Sequence, residues 1–251
     1  MSGNEKQKVS AIILAAGKGK RMKSDLAKVL HPLCGKPMLT YSVDAARTLN
    51  AEKIVVIIGH QAGLVRETFK DEDLIFVEQR EQLGTGHAVL QARDVFHSYD
   101  GTILILCGDV PMLSSSTIRA LLEVHILEKS VVTVLTTILD DPAGYGRVIQ
   151  EGDKREISRI VEEKDASPAE KKIREINTGI YCVESNFLFG AVGAIGNENI
   201  QKEYYLTDIV GIAWKKGFKT RSFITANSCE VMGINTPDDL KKASKRMTTC
   251  N

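Results

Sequence analysis

The chain has no cysteine framework: its five cysteines (Cys34, Cys107, Cys182, Cys229 and Cys250) are scattered, with no C-x-x-C pair. That argues against a zinc site or a disulfide scaffold, and the apolar or turn-flanking settings of Cys34, Cys107 and Cys182 suit reduced structural thiols. It has no excess of charge either. Lys plus Arg number 33 and Asp plus Glu 32, a net charge of +1, so nothing global draws the chain to nucleic acid or to an anionic membrane. No apolar run approaches the roughly 18 residues of a membrane span, and the polar start, Met1 to Lys8, lacks the apolar core of a signal peptide. A cytoplasmic protein without a nucleic-acid or membrane partner is expected. No internal repeat or low-complexity tract appears, and no hexapeptide repeats follow Asn235. The histidines are unclustered, His31, His60 and His87 fall in loops and read as structural, and no Ser-His-Asp or Cys-His set stands out.

What is present is ordinary in bulk and specific in one place. A hydrophobic content of 43% with 26% charged residues is that of a globular protein. A length of 251 residues fits one large α/β domain, or one domain with a small appended subdomain. The specific place is Ile12 to Leu30. An apolar run ends in Leu14-Ala15-Ala16-Gly17, and a loop follows with Gly17, Gly19, Lys18, Lys20, Arg21, Lys23 and Lys28. Glycines let backbone N–H groups approach an anion and the cations neutralise it; a basic surface loop after a core strand is the competing reading. Counting from Gly17, Met22 stands where both the Walker A loop and the G-x-G-x-x-G dinucleotide fingerprint need glycine. Side-chain charge, more than a helix N-terminus, is therefore left to hold phosphate.

Strands and helices alternate through the first half. Strands are expected at Lys8–Ala16, Lys53–Ile58, Leu74–Val77, Thr102–Leu106 and Val131–Ile138, and helices at Met38–Leu49, Gln61–Phe69, Ala88–Phe96 and Ser114–Lys129. This implies a mostly parallel central sheet with helices on both faces. From Asp140 the texture changes to short β-like runs, Arg147–Ile149 and Ile157–Val161, then a charged stretch Glu162–Glu175. A strand Ile180–Val183, a helix Tyr204–Lys215, a strand Arg221–Ile224 and a last helix Pro237–Arg246 complete the reading. We divide the single domain into a nucleotide-binding half (8–139), a smaller β-containing half folding over the sheet's carboxyl edge to complete the site (140–236), and a C-terminal helix and tail (237–251).

Asp109 follows an apolar strand through Gly108, which brings it to the sheet's carboxyl edge near Gly17. A carboxylate there, beside cations, can hold Mg²⁺, which binds through one or two carboxylates plus substrate phosphates; a turn-capping role before Pro111 is the alternative. Arg21 and Lys28 are the candidate transition-state cations. Attack of a phosphate nucleophile on a nucleotide's α-phosphorus needs alignment and charge neutralisation, not a general base.

Several stretches carry a resemblance. They are Leu14-Ala15-Ala16-Gly17-Lys18-Gly19 with Arg21-Met22, Ser24-Asp25-Leu26 with Lys28-Val29-Leu30-His31, Glu81-Gln82-Leu83-Gly84-Thr85-Gly86-His87-Ala88, and Gly108-Asp109-Val110-Pro111. Later come Asp141-Pro142 with Gly144-Tyr145-Gly146-Arg147, Ile160-Val161-Glu162 with Lys164-Asp165-Ala166, Glu175-Ile176-Asn177-Thr178-Gly179-Ile180, and Glu203-Tyr204-Tyr205 with Thr207-Asp208. The chain resembles, over residues 8 to 240, the uridyltransferase domain of the bifunctional N-acetylglucosamine-1-phosphate uridyltransferase/glucosamine-1-phosphate acetyltransferase family. The first motif marks only the broad sugar-nucleotidyltransferase superfamily; the later ones are more specific.

The resemblance implies a Rossmann-like sugar-nucleotidyltransferase fold. It also implies formation of UDP-N-acetylglucosamine and pyrophosphate from UTP and N-acetylglucosamine 1-phosphate. By matched position, Leu14, Ala15, Ala16, Gly17, Gln79, Gln82, Gly84, Thr85, Cys107 and Gly108 would bind the nucleotide. Arg21 and Lys28 would be catalytic, and Asp109 with Asn235 would hold Mg²⁺. Gly146, Glu162, Asn177, Tyr205 and Thr207 would hold the sugar. Lys20 stands where the family usually has Thr, Ala27 where it has Pro, and Cys107 where it has Tyr, so a ring contact near the nucleotide would be lost. The chain ends where the family's left-handed β-helix would begin; no acetyl transfer and a mainly monomeric protein are expected. A related transferase using dTTP and glucose 1-phosphate, or an inactive sugar-nucleotide-binding regulator, are the other readings.

Overall fold

The computed structural model describes residues 8–152 and 155–249; Cys250 and the polar N-terminal stretch before Lys8 lie outside them. The first strand sets the architecture. β1 (Val9–Ala15), Val-Ser-Ala-Ile-Ile-Leu-Ala, is buried along nearly its whole length. Ile12 points into one apolar layer with Val55, Ile57, Ile103 and Ile105, while Ala11 and Ile13 point into another with Val56, Ile58, Leu104 and Leu106. Side chains alternate along a strand, so an unbroken apolar run has to be covered on both faces.

After β1, the basic loop contains two 3₁₀ turns, Lys20–Met22 and Lys28–Leu30, and leads to a minimal hairpin of β2 (Pro32–Leu33) and β3 (Lys36–Pro37). Then α1 (Met38–Arg47), β4 (Ile54–Ile58), α2 (Ala62–Thr68), β5 (Ile75–Glu78), α3 (Thr85–Leu90), β6 (Thr102–Cys107), α4 (Ser115–Glu128) and β7 (Val132–Ile138) alternate as the sequence pattern predicts. The first turn of α4 is closed by the hydroxyl of Ser114, which accepts from Thr117 N–H at 3.2 Å, a cap worth about 1 kcal/mol. The second half supplies β8 (Arg147–Gln150), β9 (Ile157–Val161), β10 (Glu175–Glu184), α5 (Ser185–Val192), α6 (Asp208–Lys215), β11 (Thr220–Ile224) and α7 (Pro237–Thr249).

The main sheet runs β11-β7-β10-β6-β1-β4-β5, with the β8–β9 hairpin attached through β10. β1 pairs parallel with β4 and β6, β4 with β5, and β7 with β11; β10 is antiparallel to both β6 and β7. Helices α1, α2 and α4 cover one face through Leu39, Val43, Val65, Ile118 and Leu121. α3, α5 and α6 cover the other through Val89, Leu188, Ala191, Ile209 and Val210. Each fully buried large apolar side chain of this kind contributes roughly 1.5–3 kcal/mol. Among the described residues no helix is long and apolar enough to cross a membrane, and the four cysteines are free thiols.

Four features differ from the sequence reading. β10 runs antiparallel through the middle of the sheet, so its first residues stand at the carboxyl edge and its last at the amino edge. The expected helix from Ala88 begins at Thr85, ends at Leu90 and is followed by a 3₁₀ turn, Arg93–Phe96. The helix expected from Tyr204 begins at Asp208, because Tyr204 to Leu206 is used as a docking segment. α5 is an addition: its Phe-Leu-Phe-Gly-Ala-Val core is apolar all round and interrupted by Gly190, so no helical period is visible.

Candidate active site

The carboxyl edge begins with the loop after β1. Gly19 adopts φ +60°, and a Cβ there would lie 2.6 Å from Lys28 Cβ, so the loop can fold back on Lys28 only with glycine. The far side of the loop is tied by Gln61: its Oε1 accepts from Ala27 N–H at 2.7 Å and its Nε2 donates to the Asp25 carbonyl at 2.8 Å. Ala27, where the resembling family usually carries proline, thus has an N–H that is answered. Gly59 supports the same corner, since a Cβ there would meet the Ala16 carbonyl at 2.9 Å.

Lys28, so held, forms an ion pair with Asp109 and donates to Asn235 Oδ1 at 2.8 Å. Arg21 donates to the same oxygen at 2.9 Å. Asn235 is itself fixed. Its N–H donates to Asp239 Oδ2 at 3.1 Å and its Nδ2 to the Gly233 carbonyl at 3.1 Å, while Ile234 N–H donates to the Asp109 carbonyl at 2.9 Å. Asp239 and Thr236 exchange hydrogen bonds as a capping box at the start of α7, with Pro237 in its first position. Lys28 and Arg21, which lie 207 and 214 positions from Asn235 along the chain, therefore converge on its one amide oxygen. The carboxylate and amide oxygens of Asp109 and Asn235 already grip a cationic group between them. Two hard oxygen donors facing one cation are a set that a divalent ion bound mainly through phosphates and water would accept.

Beside these charges lies a cleft of ≈ 330 Å³ lined by Leu14, Ala15, Ala16, Gly17, Lys28, Gln79, Gln82, Gly84, Thr85, Cys107, Asp109 and Glu203. Gln79, 3% exposed, donates to the Gly84 carbonyl at 3.0 Å and lies 3.1 Å from His87 Nδ1; His87 thereby acts as a prop for the loop. Gly108 does not face the cleft: its N–H donates to the Leu14 carbonyl at 2.9 Å, underneath the loop. Cys107 lines the cleft and points its thiol at the Gly179 carbonyl, 3.4 Å away, in the room left by the missing Cβ of Gly179. Burial, and then the Asp109 carboxylate, push that thiol up to about 12, so it stays protonated and is a packing group, not a nucleophile.

The second group of predicted residues assembles where β8, β9 and β10 meet. Gly146 lies between Glu162 and Asn177: a Cβ on it would sit 3.5 Å from Glu162 Oε2 and 3.6 Å from Asn177 Cβ. Asn177 N–H donates to the Gly146 carbonyl at 2.9 Å, and its Oδ1 accepts from Gly179 N–H at 3.0 Å across a bulge in β10. Such bulges re-aim side chains next to active sites. Thr207 Oγ1 donates to Glu162 Oε1 at 3.1 Å. Burial raises the Glu162 pKa above the usual carboxylate range, opposed by that hydrogen bond. Glu162, Tyr205 and Thr207 line a larger cleft of ≈ 750 Å³ that continues between β9 and α6 to Trp214.

The two groups are stitched together. Tyr204 N–H donates to the Leu83 carbonyl and Gly86 N–H to the Tyr204 carbonyl, each at 2.8 Å, and Leu206 N–H donates to Thr85 Oγ1 at 3.0 Å. A Cβ on Gly84 would overlap the Tyr204 backbone at 2.6 Å, so the glycine is what allows this contact. Sequence reasoning missed Glu203 in the first cleft and Tyr145. The Tyr145 hydroxyl donates to Met232 Sδ at 3.5 Å, and burial followed by the charges of Asp239 and Asp109 raises its pKa. The Gly144-Tyr145-Gly146-Arg147 motif was the available signal.

A mostly parallel α/β sheet whose carboxyl edge gathers two cations, a carboxylate and an amide beside a cleft of backbone and amide groups defines a class of protein that handles nucleotide phosphates. The chain belongs to the nucleotidyl transferase family, whose model matches residues 10–246. It is 49% identical over 239 residues to the bifunctional protein GlmU of Geotalea daltonii, a match covering 95% of this chain and 52% of that protein. It is 51% identical over 238 residues to that of Geobacter metallireducens, covering 94% and 50%. The chain thus spans about half the length of the curated relatives it matches. In fold it is similar to a UDP-glucose pyrophosphorylase complexed with UDP-glucose (TM-score 0.76, 16% identity, 98% of this chain and 100% of that one).

Proposed function

We propose that this chain transfers a uridylyl group from UTP to N-acetylglucosamine 1-phosphate in the cytoplasm, releasing pyrophosphate and forming UDP-N-acetylglucosamine. The observation that carries the reading is the convergence of Arg21 and Lys28 on Asn235, with Asp109 paired to Lys28, next to the cleft of Leu14–Gly17 and Gln79–Thr85. About 50% identity to GlmU proteins over nearly the whole chain supports the choice of substrates.

In this reading the backbone of Leu14 to Gly17 and Gly84, with the amides of Gln79 and Gln82, receives the uracil and ribose. Gly146, Glu162, Asn177, Tyr205 and Thr207 receive the sugar, Glu162 accepting from its hydroxyls. A phosphate oxygen of the sugar 1-phosphate attacks the α-phosphorus in line. The new P–O bond forms as the bond to the bridging oxygen of the β-phosphate breaks and pyrophosphate leaves with the electron pair. The nucleophile is already ionised, so no side chain has to take a proton. Arg21 and Lys28 neutralise the charge that builds on the α-phosphoryl oxygens. Asp109 and Asn235 would hold Mg²⁺, which supplies charge neutralisation and alignment of the phosphates. The decisive experiment measures pyrophosphate release with UTP, Mg²⁺ and N-acetylglucosamine 1-phosphate, beside glucose 1-phosphate and beside dTTP. Release confined to the first pair is expected. Release only with another pair reassigns the substrate, and none with any pair removes the catalytic reading.

A further inference from the structure

Arg147, the first residue of β8, is 1% exposed, and no role in the chemistry above requires it. Its guanidinium nevertheless ties three segments. NH1 donates to the Tyr145 carbonyl; NH2 pairs with Glu163 Oε2 at 2.8 Å and reaches the Lys171 carbonyl at 3.4 Å. Glu163 Oε2 also accepts from Gly144 N–H at 3.2 Å, and the Arg147 hydrogen bond, foremost, holds the Glu163 carboxyl below its usual pKa. Arg147 Nε is buried without a hydrogen-bond partner, so the group is not an optimised stabilising device. Glu163 is 28% exposed but the guanidinium is buried, and replacing buried ionic groups by apolar groups of similar size is often neutral or stabilising, so stability alone does not account for it.

The pair's neighbours supply an account. Gly146 immediately precedes Arg147, and Glu162 immediately precedes Glu163. The β8–β9 register places Arg147 opposite Val161, and the Gly146 carbonyl receives Asn177 N–H. We infer that Arg147 and Glu163 form a positioning pair that sets the spacing of Gly146, Glu162 and Asn177, and through it the affinity for the sugar moiety of the sugar 1-phosphate. The inference rests on the uridylyl-transfer reading for its substrate. Neither residue touches substrate; both act through their neighbours.

The test compares Arg147→Met, Arg147→Lys and Glu163→Gln with the unaltered chain. Arg147→Met keeps the bulk and removes all three ties. It is expected to raise KM for the sugar 1-phosphate about tenfold, with KM for UTP and kcat at saturation within about twofold, as fits a small misplacement on one side of the site. Arg147→Lys recovers part of the loss, because an ammonium can pair with Glu163 but lacks the planar fork for the other two acceptors. Hydrogen exchange of the substrate-free protein gives a second readout. The Gly144 amide and segment 162–172 exchange faster in Arg147→Met, while 84–90 is unchanged. Should Arg147→Met not fold, Glu163→Gln, which keeps an acceptor but no charge, carries the same comparison. An equal rise in both KM values, no rise at all, or unchanged protection of Gly144 overturns the positioning pair. Absence of turnover in the unaltered chain overturns the substrate assignment instead, and the exchange measurement still decides whether the pair orders these segments.

Discussion

The two edges of the sheet use the same residue types to opposite ends. At the amino edge, His125 of α4 is 1% exposed and lies 2.9 Å from Thr133 Oγ1 and 2.8 Å from Glu184 Oε1. Thr102 Oγ1 donates to the same carboxylate at 3.0 Å. These four side chains answer one another, and foremost the hydrogen bond from His125 lowers the Glu184 pKa. At the carboxyl edge Glu162 is also withdrawn from water, but its carboxylate accepts from the Thr207 hydroxyl, and burial raises its pKa. One glutamate is consumed by the fold, the other held ready for a ligand. Lys28 and Arg21 tell the same story. They rest on Asp109 and Asn235, groups they can exchange for phosphate oxygens, whereas His125 has nothing to exchange for.

The largest effect that would break this contrast is at the carboxyl edge. Lys28→Ala or Asp109→Ala should lower the rate of pyrophosphate release at least ~10²-fold, the scale of losing one preorganised electrostatic contact, with little change in the melting midpoint. A normal rate in both variants would remove them from the site. His125→Ala should do the reverse. Stranding Glu184 and Thr133 is expected to cost about 2–3 kcal/mol, discounted for the partial exposure of Glu184, or about 4–12 °C in Tm, with the rate within about twofold. A stability loss that carries activity down with it would show the edges to be coupled.

The smallest and sharpest difference lies in pH. Glu184, depressed by its partner, contributes stability that is present above its unfolded pKa and fades as pH falls through the lower folded value. Glu162, raised by burial, contributes stability only below its unfolded pKa and loses it as pH rises through the higher folded value. In the proposed reading Glu162 accepts hydrogen bonds from the sugar hydroxyls and does so best when ionised. KM for the sugar 1-phosphate should therefore climb on acidification at a pH above the usual carboxylate range, and Glu162→Gln should abolish that component while raising KM about tenfold. Using the variant as reference cancels the titration of the substrate's own phosphate. Identical pH profiles for both proteins would place the titrating group elsewhere.

Sequence alone determined much of this protein because its strongest signals are local. The unbroken apolar runs of β1, β4 and β6 demanded a sheet covered on both faces, and the Gly17–Lys28 loop and Asp109 followed strands directly, so their place at one edge was readable from order. Resemblance to a family added the residues from Gly146 to Asn235 by matched motif. Only the tertiary structure decided the rest. A continuous apolar strand carries no mark of its direction, so the antiparallel insertion of β10 depends on pairings across the chain. Asn235 joins Arg21 and Lys28 from more than 200 positions away. Gln61 becomes the support of Ala27, and Arg147 the tie between three loops, because backbone geometry brings unmet donors and acceptors within reach. Hydrogen-bond satisfaction is settled in three dimensions, and no local pattern records it.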